Sequence, residues 1–463
     1  MSMKLVGAIF VVLQLVILLS NCCGDIADAK HVDCIEKEKH ALLELKASLV
    51  LYDTYLLPTW DSKSDDCCAW ERITCSNQTG HVEMLNLNGD QFPFKGEINA
   101  SLMELPHLKY LNLGLNQFSN SNLLDFVCSL SNLRFLDLEG SLFRGRIPND
   151  LACLSHLQYL DLSWNDLEGT IPHQLGNLSH LQHLDLSNNK FVGTIPHKIG
   201  NLSHLLYLDL CYNNLVGTIP HQLGSLSCLQ ELNLRYNPGL KVNDKNNHVG
   251  GEWLSNLTLL THLDSSHIPN LNSSHVWLQM IAKLPKIQEL KLSGCDFSDL
   301  YLLSMPRSLF NFSTSLAILD LAVNAFSSSK IFEWVFNATT NLIELDLSNN
   351  IFKGTIPYDF GNIRNPLERL YLSGNELEGG TTLESFRDIC TLHSLTLDYN
   401  NLNEDISTIL LKLSGSARYS LQDLSLRYNQ ITGTFPNLSI FPFLRSIDLS
   451  NKGYVNRCPR GTG

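Results

Sequence analysis

The chain has 463 residues, with 33 lysines and arginines against 46 aspartates and glutamates, a formal net charge of −13 and a pI near 5.6. This acidic balance argues against nucleic acid or an anionic membrane surface as the partner. An ordinary globular chain of this length would form about three domains, unless an internal repeat overrides that expectation.

The N terminus is typical of a secretory signal. Lys4 precedes a mostly apolar run over residues 5–19. This run is shorter than a membrane-spanning helix requires, and it lies at the very start of the chain. We predict a signal peptide over residues 1–29, cleaved after Gly24 or Ala29, with an uncleaved anchor as the alternative.

Residues 30–79 are predicted to form an N-terminal cap. Helical spacing places four apolar residues on one face: Ala41, Leu42, Leu45 and Leu49. The segment also holds four cysteines: Cys34, Cys67, Cys68 and Cys75. Sequence alone allows three pairings of these cysteines. A zinc site is the competing interpretation, which is disfavoured because there is no Cys-x-x-Cys pair and a secretory signal precedes the segment.

A repeat fills residues 80–452. The stretch that begins at Leu157 returns 24 residues later at Leu181, and again at Leu205 and Leu229. A fixed period of this size indicates a stacked repeat protein. In Leu-x-x-Leu-x-Leu, the last two leucines share one face of an extended strand and the residue between them lies on the other face. We therefore predict inward leucines, a parallel sheet between coils, and x residues that meet solvent.

About 15 coils follow one another, the last of them short. Their strand motifs open at Val82, Leu108, Leu133, Leu157, Leu181, Leu205, Leu229, Leu260, Ile287, Leu316, Leu342, Leu367, Leu392, Leu421 and Leu444. We predict a buried ladder of turn asparagines that bond the backbone: Asn116, Asn165, Asn189, Asn213, Asn237, Asn324, Asn350, Asn375, Asn400 and Asn429. Ile268 and Cys295 replace this asparagine in the long coils over residues 238–315, which we predict to be irregular.

After the asparagine, many coils carry Gly-x-Ile-Pro, as at Gly145, at Gly354 and, with Phe435 for isoleucine, at Gly433. Glycine permits a tight bend and proline forbids a helix interior. The pattern resembles the plant-specific extracellular leucine-rich repeat over nearly the whole chain. The resemblance implies an α/β repeat: a curved leucine-rich-repeat solenoid with a continuous parallel β-sheet on the concave face and a disulfide-bonded N-terminal cap.

The resemblance also implies the cysteine pairs Cys34–Cys67 and Cys68–Cys75. Cys128 and Cys153 fall at similar places on adjacent coils and are candidates for a third pair.

The amino-acid sequence of the central coils resembles that of the xylanase-sensing type of plant receptor-like protein. Residues 453–463 are predicted to be an irregular tail. Because no cysteine cap, long apolar run or kinase domain follows, we interpret the chain as a receptor-ectodomain fragment, a mispredicted gene model or a secreted truncated form.

By resemblance, the chain is the ligand-recognition region of a receptor-like protein in defence or developmental signalling. The implied partners are a peptide, protein or glycan ligand and receptor-kinase co-receptors, without nucleic acid, metal or cofactor. The implied location is the secretory pathway, and then the plasma membrane if the full-length form has a membrane segment, or the apoplast. A secreted polygalacturonase-inhibitor-like protein and a non-functional truncated receptor copy are the alternatives.

No enzyme activity is predicted. Asp359-Phe360-Gly361 resembles a kinase metal motif, but it overlays repeat residues at the same phase, and no phosphate loop accompanies it. Histidines such as His173 and His180 recur every 24 residues, which a recent duplication explains better than a metal site or acid sensor.

Aromatic and arginine x residues are the candidate ligand contacts, because such side chains commonly anchor protein ligands. They are Tyr159, Trp164, His183, Tyr207, Tyr212, Arg235, Tyr236, Arg369, Tyr371, Tyr399, Arg427 and Tyr428. The recurring aspartates, such as Asp161 and Asp185, are assigned to the repeat template. Candidate N-glycosylation sites are Asn77, Asn99, Asn177, Asn201, Asn256, Asn272, Asn311, Asn337 and Asn437.

Overall fold

The computed structural model describes residues 32–50, 57–62, 66–119, 126–242, 252–269, 271, 275–300, 314–356, 366–434 and 437–450. The predicted signal peptide, the tail over 453–463, Asn272, Asn311 and the tripeptide at Asp359 lie outside these residues. The chain divides into two compact units, Met1–Leu240 and Lys241–Gly463, which are described in turn.

A helix and two disulfides form the N-terminal cap. Helix α1 (Glu36–Ser48) buries its predicted apolar face, although Leu49 begins strand β1 (Leu49–Val50) and does not extend the helix. The disulfides Cys34–Cys67 and Cys68–Cys75 agree with the resemblance. Strand β2 (Ile73–Cys75) pairs antiparallel with β3 (Val82–Asn86), the first repeat strand, so the cap covers the open edge of the stack.

One short strand from each coil builds the main sheet of the first unit. The further strands in chain order are β4 (Lys95–Gly96), β5 (Tyr110–Asn112), β6 (Phe135–Asp137), β7 (Arg144–Gly145), β8 (Tyr159–Asp161), β9 (Asp166–Thr170), β10 (His183–Asp185), β11 (Lys190–Gly193), β12 (Tyr207–Asp209), β13 (Asn214–Thr218), β14 (Glu231–Asn233) and β15 (Gly239–Lys241). Strands β3, β5, β6, β8, β10, β12 and β14 pair in parallel. Their central leucines align and are fully buried, which confirms the inward leucine stack.

A second parallel sheet follows the turn of each coil and contains β7, β9, β11, β13 and β15, while β4 pairs antiparallel with β1. Short 3-10 helices close the coils: Ala100–Glu104, Val127–Ser129, Asn149–Cys153, His173–Asn177, His197–Asn201 and His221–Ser225. The last four each begin directly after a proline, whose ring fixes φ and favours a helix start. A disulfide joins Cys128 to Cys153, the predicted third pair, and links two adjacent coils.

The second unit repeats the same plan with longer coils. Its strands are β16 (His262–Asp264), β17 (Glu289–Lys291), β18 (Ile318–Asp320), β19 (Glu344–Asp346), β20 (Lys353–Gly354), β21 (Arg369–Tyr371), β22 (Glu376–Leu377), β23 (Ser394–Thr396), β24 (Asp423–Ser425) and β25 (Ser446–Asp448). Its helices are α2 (His275–Ile281), α3 (Lys330–Ala338), α4 (Thr381–Ser385) and α5 (Ile406–Leu413), with 3-10 helices Glu252–Asn256, Ser416–Tyr419 and Leu438–Ile440. Strands β16 and β17, from the coils predicted to be irregular, pair in parallel with central leucines aligned. The irregularity therefore does not extend to these strands.

Candidate ligand-binding surface

The turn asparagines form the predicted ladder. The Nδ2 of Asn189 donates hydrogen bonds to the carbonyl oxygens of Leu162, Leu186 and Ser187, at 2.8, 3.3 and 3.0 Å. Its Oδ1 accepts a hydrogen bond from the backbone N–H of Leu167 at 3.0 Å. Each such side chain thus satisfies buried backbone groups of its own coil and of the coil before it, and so fixes where the strand ends.

Cys295 occupies the same position in one of the coils that lack the asparagine. Its Sγ lies 3.3 Å from the carbonyl oxygen of Ser265 and 3.4 Å from that of Ser293. A thiol can donate only one weak hydrogen bond, so this coil has a weaker turn than the coils that carry the asparagine.

The residue before each ladder position has a left-handed backbone. In the first unit φ lies between 51° and 60° for Leu115, Trp164, Asn188, Tyr212 and Tyr236. A left-handed residue turns its side chain away from the strand face that its neighbours cover. This position therefore presents large side chains to solvent, and the exposed fraction reaches 60% for Trp164 and 44% for Tyr212.

The second unit repeats this arrangement. Val323, Asn349, Tyr399 and Tyr428 have φ values of 53° or 54°. Tyr399 and Tyr428 are exposed. The sequence analysis grouped these tyrosines with the x residues of the strands. Their positive φ values show that they belong to the turn after the strand.

Tyr159, His183 and Tyr207 do not meet solvent, so the expectation that strand x residues are exposed is wrong for them. With Tyr110 and Phe135 they form a row of rings in which each neighbouring pair of centroids lies 4.2 Å apart. Parallel strands in register bring equivalent residues close enough to stack face to face, so each ring covers the next. Burial raises the pKa of Tyr110 to about 12. Burial, then the nearby aspartates, hold the pKa of Tyr159 and of Tyr207 well above the usual value.

The recurring aspartates have the structural role assigned to them. Asp161, Asp185 and Asp209 are buried, and the Oδ1 of each accepts a hydrogen bond from the backbone N–H two residues later, at 2.8 to 2.9 Å. The ligand-type atoms of Asp161, His183 and Asp185 lie within 4.8 Å of one another. The carboxylates of this group, however, already accept hydrogen bonds from the backbone where the strands end.

Three of the candidate contacts come together in the first unit. Tyr212 and Tyr236 stack with ring centroids 4.6 Å apart. The guanidinium carbon of Arg235 lies 5.7 Å from the Tyr212 centroid and 5.0 Å from the Tyr236 centroid. We call these three residues the Tyr212 cluster. The cation–π contacts hold the arginine beside an exposed aromatic surface, which is a suitable anchor for another protein.

A related cluster lies in the second unit. Tyr399 and Tyr428 stack at 4.2 Å between centroids, and the Nε of Arg427 lies 2.9 Å from the Oδ2 of Asp398. The Nε of Arg369 lies 2.6 Å from the Oε2 of Glu344. Tyr371, on the same strand as Arg369, is half-buried, and its pKa is raised chiefly by burial.

Trp164 is not part of the Tyr212 cluster and lies in an open cleft. Neighbouring side chains in that cleft were missed from the sequence, because Arg144 and Asp166 come from successive coils and lie on β7 and β9. A search for charged residues at the same phase after the turn would have found them.

The candidate glycosylation sites within the described residues lie at the surface. Asn177, Asn201 and Asn256 are exposed, and each is the last residue of a 3-10 helix. Asn77, Asn337 and Asn437 are exposed as well. Asn99 is half-buried, and its Oδ1 accepts a hydrogen bond from the N–H of Ser101, so it also caps a helix.

Three family profiles match the chain. They are a leucine-rich repeat region over residues 145–355, a leucine-rich repeat N-terminal domain over 35–76 and a leucine-rich repeat over 104–121. The N-terminal profile coincides with the disulfide-bonded cap. Among the described residues, no helix is long and apolar enough to cross a membrane.

Two tomato (Solanum lycopersicum) proteins are similar over 90% of this chain. Receptor-like protein EIX1 is 30% identical over 438 residues, and receptor-like protein EIX2 is 33% identical over 426 residues. The chain spans 33% of the length of each.

Two solved structures share the fold. The ectodomain of the Arabidopsis thaliana receptor kinase GASSHO1/SCHENGEN3, in complex with CASPARIAN STRIP INTEGRITY FACTOR 2, matches with a TM-score of 0.59 and 24% identity, over 89% of this chain and 53% of that one. PEPR1–AtPEP1 matches with a TM-score of 0.60 and 24% identity, over 90% of this chain and 62% of that one. The matched profiles, the cap, the stacked leucines and the asparagine ladder show that the chain belongs to the leucine-rich-repeat family, in which it is similar to the plant receptor-like proteins EIX1 and EIX2.

Proposed function

We propose that this chain is the extracellular ligand-recognition region of a receptor-like protein, and that it binds a peptide or protein through the Tyr212 cluster. The observation that carries the proposal is the stack of exposed Tyr212 on half-buried Tyr236, with Arg235 against both rings. Burying this aromatic surface in a partner would gain free energy, since such side chains are the commonest energetic centres of protein interfaces.

The backbone supports this role. Tyr212 is exposed and Tyr236 is half-buried at the left-handed position of the turn, whereas Tyr207, a strand x residue of the Tyr212 coil, is packed into the aromatic row. Rigid presentation lowers the entropic cost of binding, because the side chains are already ordered.

The relatives support the ligand class. EIX1 and EIX2 are named receptor-like proteins, and the GASSHO1/SCHENGEN3 ectodomain is in complex with an integrity factor. The HAESA ectodomain, with a TM-score of 0.50, holds a peptide hormone. We extend this to the present chain as a non-catalytic receptor region at the outer face of the plasma membrane or in the apoplast, signalling through receptor-kinase co-receptors.

Binding to displayed peptides tests the proposal. Peptides selected on the secreted protein from a random library are expected to bind Tyr212→Asn or Tyr236→Asn about tenfold more weakly. Asparagine suits the site because Asn188 has the same left-handed conformation one coil earlier. Leu115→Asn, at the equivalent position of an earlier coil, is the matched control and should bind normally. Equal binding by all variants, or strong inhibition of a fungal polygalacturonase by the wild type, would contradict the proposal.

A further inference from the structure

We propose that the cleft beside Trp164 binds a neutral sugar ring of a glycan, at a site separate from the Tyr212 cluster. The cleft has a volume of about 310 Å³ and is lined by Leu142, Arg144, Trp164, Asn165, Asp166 and Asn188. This volume is at the lower end of the roughly 300–1,000 Å³ that is usual for small-molecule sites, which suits one or two rings.

Trp164 forms the apolar wall. Its side chain is 60% exposed, whereas Trp60, Trp70, Trp253 and Trp277 are buried. The left-handed backbone at φ 55° and a 3.1 Å hydrogen bond from the Trp164 N–H to the carbonyl oxygen of Ser187 fix the base of the indole. A large apolar ring held rigidly in solvent is a typical ligand contact.

The equivalent positions on the two adjacent coils carry small residues. Gly140 occupies the equivalent left-handed position on the preceding coil, with φ 59°, and Asn188 occupies it on the following coil. A Cβ atom at Gly140 would lie 3.2 Å from the Cδ2 of Leu115 and 4.0 Å from the Cβ of Trp164, so a side chain there would crowd the space between these two residues. By contrast, Tyr212 and Tyr236 cover each other.

The rim beside the indole is polar. Asp166 pairs with two exposed cations, with its Oδ2 3.4 Å from the Nε of Arg144 and its Oδ1 2.5 Å from the Nζ of Lys190. The hydrogen bond from Lys190 lowers the pKa of Asp166, which remains ionised. Asn188 lines the cleft beside this group, whereas the amide of Asn165 is committed to the ladder.

A pyranose ring matches this arrangement. It has an apolar face of C–H groups, which stacks on an indole, and a rim of hydroxyls, which replace the water on Arg144, Asp166 and Asn188. Because Asp166 is already paired with two cations, the cleft does not require a strongly charged ligand. An apolar peptide side chain could stack on the indole, but it would displace rim water without replacing its hydrogen bonds.

Tryptophan fluorescence provides the test, since Trp164 is the most exposed of the described tryptophans. The full secreted protein is titrated with three neutral β-1,4-linked tetrasaccharides, of glucose, of xylose and of N-acetylglucosamine, and with one acidic and one basic peptide. We expect a saturable blue shift with at least one tetrasaccharide. Trp164→Asn should weaken its binding at least about tenfold, measured by calorimetry, and Arg144→Gln should weaken it severalfold.

Tyr212→Asn is the matched control and should leave sugar binding unchanged, which distinguishes this site from the proposed peptide-binding surface. The proposal is overturned if no tetrasaccharide gives a saturable shift, if Trp164→Asn binds the sugar as tightly as the wild type, or if only a peptide binds in the cleft.

Discussion

At the scale of single residues, the ladder asparagine has the most demanding position in each coil. Asn213 and Asn237 repeat the contacts of Asn189, each donating to three backbone carbonyls. No apolar residue of similar size can satisfy donors and acceptors together. The two coils with Ile268 and Cys295 at this position lack an amide, which donates and accepts hydrogen bonds at once.

Asn189→Leu should therefore destabilise the first unit strongly. The change removes the acceptor of the Leu167 N–H and one of the donors to each of three carbonyl groups, which keep Asn165, Asn213 and the Trp164 N–H as partners. The unpaired N–H and the weakened carbonyl bonding should together cost about 1–3 kcal/mol. We expect reduced secretion and faster amide exchange at residues 162–167. Asn188→Leu is the control, because Leu115 already occupies the equivalent left-handed position. Equal secretion of the Asn189 variant and the wild type would count against the ladder.

Asp320 should make stability depend on pH. Burial raises its pKa to about 6, and the nearby carboxylates of Asp346 and Asp264 act in the same direction. Between about pH 4 and pH 6 the unfolded chain releases a proton that the folded chain keeps, so the free energy of unfolding falls as pH rises, by up to about 3 kcal/mol.

Urea denaturation from pH 4 to pH 7 measures this effect. Asp320→Asn keeps the oxygen that accepts from the N–H of Ala322, and Asn112 and Asn233 show that an amide fits this strand position. The variant should lose much of the fall in stability over this range. The same slope in both proteins would show that Asp320 titrates normally.

At the scale of elements, the disulfide between Cys128 and Cys153 joins the 3-10 helices of two adjacent coils. It closes a loop with a sequence separation of 25, for which chain entropy predicts about 3 kcal/mol of stabilisation. The double change Cys128→Ser with Cys153→Ser should lower the thermal midpoint by several degrees. Cys390→Ser, at an exposed free cysteine, is the control. An unchanged midpoint in the double variant would show that the bond adds nothing beyond coil packing.

The elements also show where sequence reasoning stops. The 24-residue period predicted the strands, the inward leucines and the ladder, since these depend on spacing within one coil. Burial of Tyr159, His183 and Tyr207 was not predicted, because it depends on aromatic residues meeting across several coils in register. The Trp164 cleft needs Gly140, Arg144 and Asp166 from neighbouring coils at once, and no single motif contains them.

At the scale of the whole molecule, the exposed sequons predict a glycoprotein. Asn177 and Asn201 end equivalent helices and are exposed, so both should carry glycans. Glycosidase treatment should increase the gel mobility of the secreted protein. Asn177→Gln should remove one glycan, and Ser179→Ala, which keeps the asparagine but destroys the sequon, should give the same shift. A mobility that neither change alters would exclude a glycan at that position.

At the left-handed position before each ladder asparagine, the backbone conformation is constant while the side chain varies. Leucine, tryptophan, asparagine and tyrosine all occupy it in the first unit with nearly the same φ. Mutation there can therefore alter what is recognised while leaving the hydrophobic core and its bonding intact. New binding preferences can arise one coil at a time, in a scaffold that tolerates the change.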